Sequence, residues 1–384
     1  MQKNFDVIVL GVGSMGSSTC YHLAAQGVKV LGLEQFDIPH ELGSHGGQSR
    51  LIRKAYFEHP DYVPLLERAY LNWWKIEQKS GVSIYTKTGL LYFGKTDQQL
   101  IKGVKESAEK YSIEVNTLTD AVVKKDYPQF NIPDDYEKLL EPDAGFVCPE
   151  KAILAYTRQA IQLGAVIKTK EKIVHWERYN DGITVTTNTG NYSAQKLIIT
   201  AGPWAGKLIP ALAKNLKVTR QALAWVKPQN WEDFELGKFP CWTIADNNHP
   251  GIFYGFPILP IENYGGPIGL KIAHHYPGSE TDPDTISRVP TAADESNLIY
   301  ALNKFIPEGY ERTLVIKTCM YTNTPDENFI LDFVPGYDGD VIAATGFSGH
   351  GFKFASAVGE IMCDLAIKGS TNLPIEFLKA TRFQ

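Results

Sequence analysis

The stretch FDVIVLGVGSMGSSTCYHLAAQGVKVLGLEQF, residues 5–36, decides the fold. β-Branched runs lie on either side of a helical stretch that closes near Gly27, so the order is strand, glycine turn, helix, strand: one βαβ unit. Gly11, Gly13 and Gly16 fit the pattern GxGxxG, with Ser14 and Met15 between the last two as members of the same candidate cofactor turn. Gly11 permits the tight turn, Gly13 lets backbone approach a pyrophosphate, and Gly16 lets helix and strand close up. Glu34 ends the second strand about 20 residues further on, where a carboxylate accepts from a ribose hydroxyl. With no arginine beside that acid to take a 2′-phosphate, the unit is expected to bind NAD or FAD rather than NADP, and spacing does not separate those two.

Composition sets the bounds around this unit. A chain of 384 residues, 43% hydrophobic and 21% charged, has the balance of a soluble enzyme and enough length for two lobes. A formal net charge of -5 offers no basic field for a phosphate backbone, so nucleic acid is not expected as a partner. Cys20, Cys148, Cys241, Cys319 and Cys363 lie far apart without a CxxC pair, which argues against a disulfide framework or a zinc site and for a reducing compartment. The first apolar run follows Asp6 and is broken by glycines, unlike a signal peptide or a membrane span. The terminal RFQ is not a peroxisomal address, so the cytoplasm is expected, with no membrane partner.

Two later segments resemble parts of the same cofactor lobe. ITVTTNTGNYSAQKLIITAGPWAG, from 183, reads as a hairpin feeding the apolar strand Leu197–Thr200, which stops at Ala201-Gly202-Pro203 where backbone can come close to a cofactor. VIAATGFSGHGFKFASAVGEIMCDLAIKG, from 341, reads as a strand, a loop with Gly346, Gly349 and Gly351, and a helix. The positive end of that helix would stabilise negative charge on a reduced isoalloxazine, which ranks flavin above nicotinamide. Between these segments, TGLLYFG (88–94) and the aromatic, proline-rich 216–317 suggest an antiparallel sheet. The expected fold is therefore α/β (α+β, two-lobed), with a discontinuous Rossmann-type cofactor lobe of 1–87, 145–215 and 318–384 and a substrate lobe of 88–144 and 216–317. Leu66, Ala69, Trp73 and Ile76, at helical spacing, read as a core face without chemistry.

The residues able to carry chemistry each have a plainer reading beside the functional one. In GSHGGQSRLIRKAY, a loop of small residues that includes Ser44 and His45 precedes Arg50 and Arg53, which share a face if the segment is helical. They are either a solvated basic first turn or, since cations there oppose the helix dipole, an anion grip. Lys271 stands in the apolar run GLKIA, on a wet strand face or buried at a cost that something must compensate. His274 and His275 point to opposite sides of a strand and make a poor metal pair, and no metal is expected. Tyr254 and Tyr321 read equally as core aromatics. Lys353 follows the last glycine loop, and Cys319, in KTCMYTNTPDENFILD, is either a small apolar filler or a thiol beside a flavin methyl.

VLGVGSMG, GSHGGQSRLIRKAY, GIFYGFP, GLKIAHH, CMYTNTPDENFILD and FSGHGFKF, in this order along essentially the whole chain, resemble the monomeric sarcosine oxidases and their relatives, the N-methyltryptophan and L-pipecolate oxidases. SHGGQSRLIRKAYFE and CMYTNTPDENFILD look particularly like the L-pipecolate and peroxisomal sarcosine oxidase branch. The resemblance implies a glycine oxidase or D-amino acid oxidase-like fold and an FAD enzyme, with the flavin carried on Cys319 through an 8α-S-cysteinyl bond. It implies that Arg53 and Lys353 grip the substrate carboxylate, that Tyr254, Tyr321 and His275 line the substrate site, and that Arg50 and Lys271 lie on the opposite flavin face, with Lys271 activating oxygen. Ser44, Gly202, Gly346, Gly349 and Gly351 are counted with the cofactor contacts. The bacterial sarcosine oxidases tend to have two histidines where this chain has His45-Gly46, a departure that bears on substrate choice.

The reaction implied is oxidation of the C–N bond of a secondary α-amino acid such as sarcosine or L-pipecolate, with imine hydrolysis and reoxidation by O2 to give H2O2, in a monomer. Two rivals are a flavin dehydrogenase that passes electrons to a carrier protein and a non-catalytic dinucleotide-binding protein. Neither requires Cys319 or Lys271.

Overall fold

The computed structural model describes residues 4–179 and 182–383. The βαβ unit is present as the strand Asn4–Leu10, the helix Ser14–Ala25 and the strand Val30–Leu33. Ile8, Val9 and Leu10 are fully buried, as a continuous apolar run in a parallel strand covered on both faces should be. Asn4–Leu10 pairs in parallel with Val30–Leu33 on one side and with Asn191–Ile199 on the other. Asn191–Ile199 in turn pairs in parallel with Val341–Thr345, so the three separated segments meet in one sheet. A Cβ on Gly16 would collide with the Gly11 carbonyl, and Gly11 itself has φ +90°, so the turn and the close helix–strand approach both require glycine. The helices Pro149–Gln162 and Ala355–Lys368 both pack against Ser14–Ala25 over this sheet.

A second sheet runs in the order Arg312–Asn323, Lys217–Lys227, Leu270–His275, Ile252–Phe256, Cys241–Ala245, Leu90–Gly94, Glu137–Glu141, Asn116–Thr117. The expected antiparallel arrangement holds at every junction but one: Cys241–Ala245 pairs in parallel with Leu90–Gly94. These two strands come from chain segments far apart, so no hairpin constrains their direction. The expected boundary at 318 falls inside the strand Arg312–Asn323, which pairs with Lys217–Lys227 from Lys217 opposite Asn323 to Lys227 opposite Arg312. Cys319 therefore belongs to the second sheet, opposite Gln221.

A small third sheet corrects another expectation. Arg50–Ile52 is a strand, paired with Gly145–Val147, and not the first turn of a helix. Its pairing partner lies about a hundred residues away in sequence, which local spacing does not reveal, and the helix-dipole argument for the two arginines falls with the helix. The helix Val63–Ser80 buries Leu66, Ala69, Trp73 and Ile76 as expected. Among the described residues all the cysteines are free and buried, no helix is long and apolar enough to cross a membrane, and no cluster of His, Cys, Asp and Glu is arranged to hold a metal ion.

Candidate active site

A cavity of about 320 Å³ runs from the glycine turn, between the first and second sheets, to Arg53 and Lys353. At its first end Gly11, Gly13, Ser14, Met15 and Glu34 line it, and Gly16 sits behind them against Gly11. Glu34 accepts from the Val12 N–H at 2.9 Å and the Phe36 N–H at 3.0 Å; burial outweighs these bonds and pushes its carboxyl up to about 7. Ser44, His45 and Gly202 complete this part of the wall. His45 is buried, its Nε2 has no hydrogen-bond partner, and burial lowers its imidazole to about 3.

The middle of the cavity is built on the turn before Arg50. Gly47 has φ +115°, which glycine takes freely, and Gln48 φ +70°, which costs a residue with a Cβ; the turn is held from both sides. Glu150, at the start of the helix Pro149–Gln162, accepts from the Gly47 and Gln48 N–H groups at 2.9 and 3.1 Å. From the other side Lys271 Nζ donates to Gly47 O, Ser49 O and Ser49 Oγ at 2.5 to 3.0 Å. Arg50 donates to the carbonyls of Ser44, Gly46 and Ser49 and lines the cavity, whereas Lys271 lies behind the turn, under the rings of Trp225 and Phe256, and does not line it. Lys271 is buried, and that burial, with Arg50 nearby, holds its ammonium well below the usual lysine range. Cys319 faces the cavity, its thiol raised by burial with Arg50 and Lys271 acting against the shift.

At the far end the ionisable groups come from three distant segments, around Arg53 and Glu58, His275, and Lys353. Arg53 Nη2 donates to both carboxylate oxygens of Glu58 at 2.7 Å, and its guanidinium lies over the rings of Tyr56 and Phe57. Lys353 Nζ donates to His350 O at 2.8 Å, and burial, followed by Arg53, keeps it well below its ordinary range. Trp73 Nε1 donates to Lys353 O at 2.9 Å and fixes that backbone. His275 lies 3.4 Å from the Tyr321 hydroxyl through Nδ1, and burial takes its imidazole down to about 4. Tyr254 and Tyr321 both line the cavity, so their reading as plain core aromatics does not hold. Gly349 and Gly351 line it too, and a Cβ on Gly349 would collide with the Tyr321 ring. Gly346 lies outside the lining, in a φ +66° turn against Thr324.

Several contributors carry no signature in the sequence. Glu58 follows Arg53 by five residues, and an acid that close to a buried base is the one local hint. Glu141, fully buried, accepts from the N–H groups of Lys54 and Ala55 and from the Tyr92 hydroxyl, and so fixes the segment that carries Arg53. Glu150 and His350 are likewise placed by packing, with His350 Nδ1 2.6 Å from the Tyr56 hydroxyl.

The lining suits a flavin dinucleotide: a glycine turn on a helix N-terminus, an acid at the end of the second strand, and buried ring and guanidinium nitrogens of His45 and Arg53 that lack partners. A family profile described as FAD dependent oxidoreductase matches residues 6–365. The chain is 38% identical to a monomeric sarcosine oxidase of Bacillus sp. (strain B-0618), over 100% of this chain and 97% of that one. It is 35% identical to the human peroxisomal sarcosine oxidase, over 99% and 96%, and 35% identical to an N-methyl-L-tryptophan oxidase of Citrobacter koseri, over 99% of each. Among solved structures, NikD, an amino acid oxidase of nikkomycin biosynthesis, superposes with a TM-score of 0.85 at 24% identity, covering 98% of this chain and 97% of that one. This chain belongs to the FAD dependent oxidoreductase family and, within it, to the monomeric sarcosine oxidases and their relatives.

Proposed function

We propose that the chain oxidises the C–N bond of a secondary α-amino acid, sarcosine or a related N-methyl or cyclic amino acid such as L-pipecolate, as a cytoplasmic monomer. O2 is the acceptor and leaves as H2O2, and the imine hydrolyses; from sarcosine the products are glycine and formaldehyde. The observation that carries this reading is a charge imbalance. Arg53 and Lys353 are both buried at one end of the cavity, Glu58 is the one carboxylate lining that end among the described residues, and Arg53 Nε has no acceptor. His275 and His350, lowered by burial to about 4 and 3, add no charge at neutral pH. A dry pocket with two buried bases against one carboxylate favours an anionic ligand, which would also hold the lowered Lys353 in its ammonium form, and an α-carboxylate meets that need with charge-assisted hydrogen bonds.

FAD, when bound, supplies the two-electron acceptor. The glycine turn, Glu34 and Ser44 would hold its nucleotide part, and Cys319 would carry it through an 8α-S-cysteinyl bond. Arg53 and Lys353 take the substrate carboxylate, while Tyr254, Tyr321 and His275 bound the space around the α-carbon and nitrogen. Desolvation beside Arg53 and Lys353 favours the neutral form of the substrate amine, the form that can be oxidised. On the other side, Arg50 and Lys271 brace the turn 47–49, and a proton on Lys271, which burial and Arg50 disfavour, would be stabilised by and would favour the anion formed when O2 takes its first electron. We further propose that the first sheet serves the nucleotide part of the cofactor, while the second supplies Cys319 to the flavin and Tyr254, His275 and Tyr321 to the substrate.

The test is peroxide release from a panel of amino acids. Sarcosine, L-pipecolate or another secondary amino acid should react faster than glycine or L-alanine, and the reverse order would overturn the reading. Flavin that is reduced by substrate yet stays reduced in air would favour the dehydrogenase instead.

A further inference from the structure

The substrate end of the cavity does not close behind the two cations. A second cavity of about 880 Å³ abuts it, and Phe57, Glu58, Ile252 and His275 are common to both walls. It extends past the 246–251 turn to Asp326 and Asn328. Among the described residues no lysine or arginine lines it. Three of its four acids are already engaged, Glu58 with Arg53, Asp246 with Lys304 and the Tyr300 hydroxyl, and Asp326 with Arg382, while the fourth, Glu327, stands exposed at the rim. Beside Glu327 at the rim and His249, what remains to meet a ligand is a group of neutral amides, of which Gln98 and Asn328 already have partners and Gln99, Asn247 and Asn248 are the freer ones. Asn247 uses its Oδ1 to accept from Gln98 Nε2 at 2.9 Å, which leaves its own amide hydrogens for a ligand or water.

Sarcosine needs none of this space. We infer that the second cavity is an extension of the substrate site that takes a neutral, hydroxyl- or amide-bearing arm on the nitrogen or α-carbon of an N-substituted α-amino acid. The inference rests on the function proposed above. An alkyl arm would displace water from these amides without replacing its hydrogen bonds, and a cationic arm would meet three carboxylates that already have counter-ions and, beyond them, only the solvent-screened Glu327 at the rim.

The test uses the FAD-loaded enzyme and matched pairs of substrates, with anaerobic flavin reduction as the readout. N-(2,3-dihydroxypropyl)glycine is compared with N-propylglycine, and N-methyl-L-glutamine with N-methyl-L-norvaline. In at least one pair the polar member should show a kcat/KM about tenfold or more above its apolar partner, and the pair that does so identifies the atom that bears the arm. Asn247→Leu, at an exposed position, should bring that ratio close to one. Preference for the apolar member or no preference in either pair, a better reaction with N-methyl-L-lysine, or an unchanged ratio in Asn247→Leu would each overturn the inference. If sarcosine reduces the flavin in any of those cases, the proposed function stands and the second cavity is a solvent-filled entrance. If no secondary amino acid reduces it, sarcosine included, the proposed function itself has failed.

Discussion

Arg53 and Glu58 form a buried ion pair that uses one edge of the guanidinium: Nη2 meets both carboxylate oxygens at 2.7 Å, while Nε meets no acceptor. Burial by itself would raise the Glu58 carboxyl, but Arg53, with help from His350 and Lys353, carries it down to about 2. Glu58 is thus a fixed anion throughout the neutral range, and a substrate carboxylate must share Arg53 with it.

Removing Arg53 should therefore remove ligand affinity. Arg53→Met is expected to weaken acetate-type inhibitors by roughly tenfold or more, followed by titration of the flavin absorbance. Glu58→Gln leaves the guanidinium without its counter-ion, so the same inhibitors should bind more tightly while the fold loses roughly 3 kcal/mol or more. Unchanged affinity in both Arg53→Met and Lys353→Met would place the anion site elsewhere.

Covalent attachment is read by intact mass. The native protein should exceed its sequence mass by one FAD, and Cys319→Ala should lose the increment while Cys241→Ala, also buried but outside the cavity, keeps it. A native protein at its bare sequence mass would exclude the bond.

Lys271→Met should separate the two half-reactions. Reduction by substrate without oxygen should stay within about tenfold of native, whereas reoxidation should slow by about two orders of magnitude or more, as loss of a buried charge at an anionic transition state requires. The substitution also takes donors from Gly47 O, Ser49 O and Ser49 Oγ, so Tm should fall as well. Reoxidation at the native rate in stopped flow would make Lys271 a brace for the turn and nothing more.

Stability should decline in mild acid. Burial lowers the imidazoles of His22, His45, His275 and His350 to about 4, 3, 4 and 3 from 6.5, so between those values the unfolded chain binds more protons than the folded one. Their stabilising effect is complete above pH 6.5 and is lost as pH falls toward 4. Glu34 and Glu141 act in the opposite sense, because burial raises both, Glu34 from 4.5 to about 7, but they are two groups against four. Each net proton changes stability by about 1.4 kcal/mol per pH unit inside the window. Calorimetry should show Tm falling from pH 6.5 to 4.5, and a level Tm over that range would contradict the neutral imidazoles.

What the sequence determined by itself is the part of the molecule governed by short spacing. Strand, glycine turn, helix and strand from Asn4 to Leu33, with Glu34 at the end, could be read directly, because the positive φ of Gly11 and the contact of Gly16 with Gly11 are requirements set within a few residues. The ordered motifs around Arg53, Lys271, Cys319 and Lys353 also pointed to the right family. Local spacing misplaced Arg50 and Arg53 on a helix, since what makes Arg50–Ile52 a strand is pairing with Gly145–Val147. Only the tertiary structure decided which acids balance which bases: Glu58 against Arg53, Glu141 under the Lys54 and Ala55 amides, and Glu150 facing Lys271 across the turn 47–49. Hydrogen-bond partners and burial are set by distances through space between segments remote in the chain, and the cost of burying a charge depends on those distances rather than on sequence separation.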